Sequence, residues 1–134
     1  MSMAAALLAL AAAGPVSLGP VSFGPVSLVS VATGQVEPFL AETLAAGGGA
    51  ECLRTPLSLA LMTESYVLED AARPVPAALP CYDPARLAAD LAAGRAVAFL
   101  GDAPAPGLRR ILAVYPDGRA YAWAQPDPHS RKAE

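Results

Sequence analysis

The chain has a single histidine, a single lysine (Lys132) and two cysteines, and only 6% of its 134 residues are aromatic. His129 lies in the terminal run "DPHSRKAE", whereas a Ser-His-Asp or Cys-His pair needs an imidazole fixed beside its nucleophile. HExxH, Walker-type and CxxC patterns are absent, so no sequence motif points to a metalloprotease, a nucleotide-binding loop or a zinc ribbon. The triple glycine at 47–49 is followed by Ala50, Glu51 and Cys52, with no Lys or Ser/Thr to hold a phosphate. The loop "GDAPAPG" places prolines where a phosphate cradle needs backbone donors. Basic charge is also scarce: the formal net charge is −3 and the pI about 5.0. That argues against a nucleic-acid partner, which requires a basic surface. No cofactor and no metal are implied. The carboxylates are scattered; the adjacent Glu69 and Asp70 point apart on a strand and read as solvated charges.

A long apolar run is missing too. The longest, residues 4–13, is half the roughly 20 residues needed to cross a bilayer, and Pro15, Pro20 and Pro25 interrupt its extension. Its length suits the apolar region of a signal peptide, and small residues precede Gly14. The basic residues that normally open such a peptide are not there, since the first arginine is Arg54. A signal peptide is the reading we adopt, with a packed N-terminal helix and a membrane anchor as its alternatives. Membrane contact, on any of these, belongs to residues 1–13.

What the chain does have is alanine, glycine, proline and arginine, a composition typical of a GC-rich bacterial gene. Hydrophobic residues make up 54% of the total, but much of that is alanine, which makes a thin core with elements close together. The length fits one domain. After the apolar start comes "GPVSLGPVSFGPVSL", a pentad written three times with one change, Leu18 to Phe23 and back to Leu28. On a strand a period of five turns each new copy to the opposite face, and each proline removes a helical donor. Residues 14–28 therefore read as an extended arm bent at its Gly-Pro steps, lying over the domain or over a partner.

The globular part, 29–125, precedes a polar tail, 126–134. A strand is expected around Val26 to Val31. Pro38, Glu37 and Glu42 favour a helix start that runs to Gly47, with Phe39, Leu40 and Leu44 as its buried stripe. The alternation of Leu57, Leu59 and Leu61 predicts a strand over 57–62, with a short second one at 66–68, against a competing helix start at Thr55 and Pro56. "RPVPAALPCYDP" reads as an extended connection. In "DPARLAADLAAG", Asp83 caps, Pro84 takes the first helical position and Gly94 closes the helix. Three strands follow, "RAVAFLG", "LRRILAVY" and "RAYAWAQ", the last two joined by the turn "YPDGR". The fold class is thus α+β: a small domain with a C-terminal antiparallel three-stranded meander packed on one or two short helices, preceded by the irregular Gly-Pro arm.

The turn sets a register in which Tyr115 opposes Arg119, Ala113 opposes Tyr121 and Ile111 opposes Trp123. One face then carries Arg109, Ile111, Tyr115, Tyr121 and Trp123. The other carries Arg110, Leu112, Val114, Ala120 and Ala122. The alanine-rich helix at 83–93 is expected on the alanine face. The aromatic face is left to be covered by the N-terminal strand and arm or by a partner, and Arg109 on it reads as a cation stacked on a ring or as a charge that blunts a strand edge.

Cys52 and Cys81 each border an irregular stretch, and an even count in an oxidising compartment favours pairing. We therefore expect a disulfide and a periplasmic or secreted protein, the alternative being a cytoplasmic one with two reduced, buried thiols. Functionally, the sequence reads as a non-enzymatic exported protein, or an accessory or structural subunit, acting through protein contacts at the aromatic face or the arm. A cytosolic partner-binding module and a small cysteine-dependent enzyme, with Cys52 or Cys81 as nucleophile, are the other readings.

Overall fold

The computed structural model describes residues 26–127. The apolar segment 1–13, residues 14–25 of the arm, and residues 128–134 of the tail with His129 lie outside the described residues. The described chain is a small α+β domain in which every strand pairing is antiparallel.

Strands β1 (Ser27–Val29) and β2 (Val36–Pro38) pair as a hairpin. Strands β3 (Glu42–Gly47) and β4 (Ala50–Arg54) follow, joined through Gly48 and Gly49, with φ of 64° and 90°. Two consecutive left-handed residues make the tight turn whose twist matches paired strands. The glycines are thus a hairpin turn, and the helix expected to end at Gly47 is a strand instead. Pro38 and the flanking glutamates, which suit a helix start, suit an exposed strand equally well.

Helix α1 (Leu59–Ser65) replaces the strand expected over 57–62. Its N-cap is Ser58, whose hydroxyl accepts from the Leu61 amide. Thr55, the competing cap, is used elsewhere: its hydroxyl donates to the Leu40 carbonyl and accepts from the Leu57 amide. The leucine alternation misleads because the helix buries Met62 and leaves Leu61 exposed. Helix α2 (Pro84–Ala93) has the Asp83 cap, Pro84 at its first turn and a left-handed Gly94 closing it, as read from the sequence.

Strands β5 (Val97–Leu100), β6 (Leu108–Val114) and β7 (Arg119–Pro126) complete a five-stranded sheet of order β3-β4-β7-β6-β5. Ile111 opposes Trp123, Ala113 opposes Tyr121, and the Tyr115 amide bonds the Arg119 carbonyl, so the turn register holds. Isolated pairings join β5 to the rest: Leu28 with Gly101, and Leu68 with Phe99. β2 in turn runs on through residues 39–41 into β3 at the far edge of the sheet. The hairpin and the five-stranded sheet, linked by these isolated bridges, enclose a shared interior.

That interior holds Val26, Leu28, Phe39, Met62 and Phe99, packed on Leu53, Leu112, Val114, Ala120 and Ala122. Fully burying an aliphatic or Phe side chain is worth about 1.5–3 kcal/mol, so this cluster is a large share of the folding free energy. The outer face of the sheet carries a second cluster: Ile111, Tyr115 and Trp123 under Leu87 of α2, Tyr82 and Ala96. Helix α2 thus packs on the aromatic face, not on the alanine face where the sequence placed it. The inner face needs small residues at Ala120 and Ala122 because Phe39, Met62 and Phe99 already fill the space between the sheet and its inner cover.

Candidate functional site

Four of the five residues named for partner contact are held within the protein's own outer layer. Ile111 and Trp123 are at most 1% exposed, Tyr115 is buried and Tyr121 is half-buried. Arg109 is half-buried on the same face, opposite Gln125. The cover that the sequence assigned to an N-terminal arm or a partner comes from α2 and from a proline-rich strap, residues 71–82, with Ala72, Val75, Ala77 and Leu79 packed against the cluster. Gln125 ties this strap down: its Oε1 accepts from the Trp123 indole N–H and the Arg73 amide, and its Nε2 donates to the Ala71 carbonyl. The Tyr82 hydroxyl donates to the Val75 carbonyl, and burial pushes its pKa up to about 12.

The strap ends in a disulfide. Cys81 is bonded to Cys52 of β4, with Cα atoms 6.5 Å apart and 29 positions between them. No free cysteine remains among the described residues.

Beside Cys81 lies a cavity of about 270 Å³, lined by Arg86, Asp90, Tyr115, Arg119 and Tyr121 among others. The buried Asp90 carboxylate accepts from the Tyr115 hydroxyl and from Arg95 Nε, with Arg86 Nε 3.6 Å away. These donors, Tyr115 foremost, hold its pKa below the ordinary carboxylate value. Burial and the neighbouring carboxylate push Tyr115 up to about 12. The Arg119 guanidinium stacks 4.2 Å from the Tyr115 ring centre and bonds Asp117. Asp90 is thus held as the carboxylate and Tyr115 as the neutral phenol. This constellation clamps α2 to β6 rather than holding a proton ready for transfer near neutral pH. On the inner face, Arg110 is likewise buried against Glu51 at 3.7 Å and Asp102 at 3.5 Å. Burial raises the Glu51 pKa against the pull of Arg110. No group of three His, Cys, Asp or Glu side chains that could hold a metal ion occurs among the described residues.

The unpartnered features lie elsewhere. Along the stretch from β1 to β3, Val31, Val36, Leu40 and Leu44 are all exposed, Leu40 to 63% and Leu44 to 52%. Leu44 sits in a bulge of β3, where the register with β4 shifts between Thr43 and Ala45. The sides of this long bent strand can be assigned. The Phe39 amide donates to Val26, toward β1, and the Leu40 carbonyl accepts from Thr55, toward β4. Backbone groups alternate sides along a strand, so β1 and β4 flank it on opposite sides. β1 spans Ser27–Val29, and the side of β3 away from β4 pairs with no described strand. A strand edge without a described partner, beside exposed aliphatics, can serve as a template for another extended segment. The sequence assigned a helix there; the two hairpin glycines were the signal that could have revealed the strand.

No helix among the described residues is long and apolar enough to cross a membrane. Comparison with known proteins finds no matching curated protein and no matching solved structure. A family described as a family of unknown function (DUF6446) matches residues 49–133, a stretch that holds β4 to β7, both helices and both cysteines. As the match spans more than half of the chain, the protein belongs to that family.

Proposed function

We infer that the protein is a non-enzymatic accessory subunit that works in an oxidising compartment, periplasmic or secreted, and engages a protein partner through the outer edge of β3. The observation that carries this reading is the β3 edge, which pairs with no other strand among the described residues and has Leu40 and Leu44 exposed beside it. An added strand gains main-chain hydrogen bonds, and adjacent apolar side chains supply affinity and selectivity. The disulfide supports the compartment, because such bonds persist outside the reducing cytosol. A cysteine-dependent enzyme is disfavoured, since both sulfurs are joined to each other.

The test uses Leu40→Asp and Leu44→Asp, expressed at native level in the source organism. The wild-type protein should migrate in an assembly larger than its 13.6 kDa monomer. Each variant should migrate as a monomer with its melting temperature unchanged, since both side chains are exposed. A wild-type monomer, or an assembly that both variants retain, would overturn the reading.

A further inference from the structure

We propose that Cys81 is a site of thiol–disulfide exchange: a low-molecular-weight thiol opens the Cys52–Cys81 bond from the Cys81 side, in the cavity at the start of α2, and unfastens the proline-rich strap. Three observations carry it.

The first is unequal access. Cys81 is exposed and lines the cavity of about 270 Å³. Cys52 is 3% exposed and packed in the outer cluster. Exchange requires a thiolate to reach one sulfur of the pair, so burial of Cys52 directs the attack to Cys81.

The second is the charge around Cys81. It lies two positions before Asp83, the N-cap of α2, at the end of the helix that favours negative charge. Arg86, on the first turn of that helix, lines the same cavity. Its side chain is 74% exposed, and its ion pair is a 3.6 Å approach to the Asp90 carboxylate, which Tyr115 and Arg95 already bond. Arg119 also lines the cavity but is engaged with Asp117, and Asp83 is turned to the Arg86 amide as the cap. Arg86 is therefore the cation available to an incoming thiolate, and a guanidinium beside a thiol holds it ionised.

The third is what the bond fastens. Gln125 ties the strap at Ala71 and Arg73, and Cys81 is the covalent anchor of its other end. Between these points Ala72, Val75, Ala77 and Leu79 lie on the cluster that holds Trp123. Opening the bond leaves the Gln125 end tied and removes the anchor beside α2.

In the exchange, the small thiol loses its proton to solvent and its sulfur bonds to Cys81 Sγ. The Cys52–Cys81 bond breaks, with its electron pair going to Cys52. Cys52 is released among Ala50, Tyr82 and Trp123, where apolar burial disfavours a thiolate, so it takes up a proton. The product is a mixed disulfide on Cys81 and a thiol at Cys52. Attack by Cys52 on the mixed disulfide expels the small thiol and reseals the strap.

The experiment treats the folded full chain with reduced glutathione, quenches with acid at intervals, caps free thiols with N-ethylmaleimide and maps the adducts by mass. The singly opened species should carry glutathione on Cys81 and maleimide on Cys52, and should form at a rate proportional to glutathione concentration. Arg86→Gln should slow this step about threefold to tenfold at the same pH, and Arg86→Lys should restore most of the rate. Far-ultraviolet circular dichroism checks that both variants are folded. Glutathione on Cys52 would overturn the proposal. So would a rate independent of glutathione concentration, or a bond that opens only in urea, since either means that the thiol reaches the sulfurs only after unfolding. A folded Arg86→Gln that opens as fast as the wild type would overturn it too.

Discussion

Trp123→Ala separates a buried core from a hidden interface on the aromatic face. Trp123 is 1% exposed in the outer cluster, beneath the strap and α2, and its indole N–H is bonded to Gln125. Truncating a buried Phe or Trp to Ala costs about 3–5 kcal/mol. Losing a hydrogen bond adds about 1 kcal/mol. The Gln125 oxygen keeps the Arg73 amide as a donor, so the upper end is not expected, and we predict about 4 kcal/mol. Against a total of about 5–15 kcal/mol for a domain, this lowers the melting temperature by on the order of 15–25 °C. Trp123→Phe keeps most of the buried area and should cost about 1–2 kcal/mol. Urea unfolding followed by far-ultraviolet circular dichroism measures both, with the m-value as a check on two-state behaviour. A nearly silent Trp123→Ala would refute the assignment of this face to the core.

Replacing both cysteines by alanine should cost roughly 3.5 kcal/mol on the chain-entropy account of a loop this long, and the native protein should show a two-hydrogen mass deficit under non-reducing conditions. Tyr115→Phe should destabilise the domain in a pH-dependent way. The folded-state pKa of Asp90 is depressed, chiefly by the Tyr115 hydroxyl, so its contribution is full above the ordinary carboxylate value and is lost as pH falls through the folded value. The gap between variant and wild type in urea melts should therefore be widest above about pH 4 and narrow below it; a gap independent of pH would contradict the clamp. Gly118→Ala should lower the melting temperature, because Gly118 has φ of 94° and a Cβ there would sit 2.7 Å from the Thr55 carbonyl oxygen; an unchanged value would show that the turn relaxes freely.

Local chemistry was readable where one residue type does one job. Asp83, Pro84 and Gly94 delimit α2 by themselves, and Pro116, Asp117 and Gly118 set the β6–β7 register. Reading failed where a residue type serves two structures. Pro38 and Glu42 fit a helix start or an exposed strand, and the choice was made by Gly48 and Gly49 further along the chain. Thr55 resembled a cap but was claimed by the Leu40 carbonyl, which is distant in sequence. The aromatic and alanine faces were separated correctly from alternation alone. Which one met α2 depended on how the N-terminal hairpin covers the other face, through isolated pairs such as Leu28 with Gly101 that leave no local trace in the sequence. The β3 strand was signalled by Gly48 and Gly49, but its place at the sheet edge was not, since an edge exists only once the strand order is known.

The most direct test of a partner at that edge is site-specific photocrosslinking in the source organism, with benzoylphenylalanine placed at Leu44 and, as a control, at the equally exposed Leu61 of α1. The account predicts one discrete crosslinked species, heavier than a dimer of this chain or matching a different protein by mass, from position 44 and none from position 61. No intermolecular adduct at 44, or the same species from both positions, would contradict it.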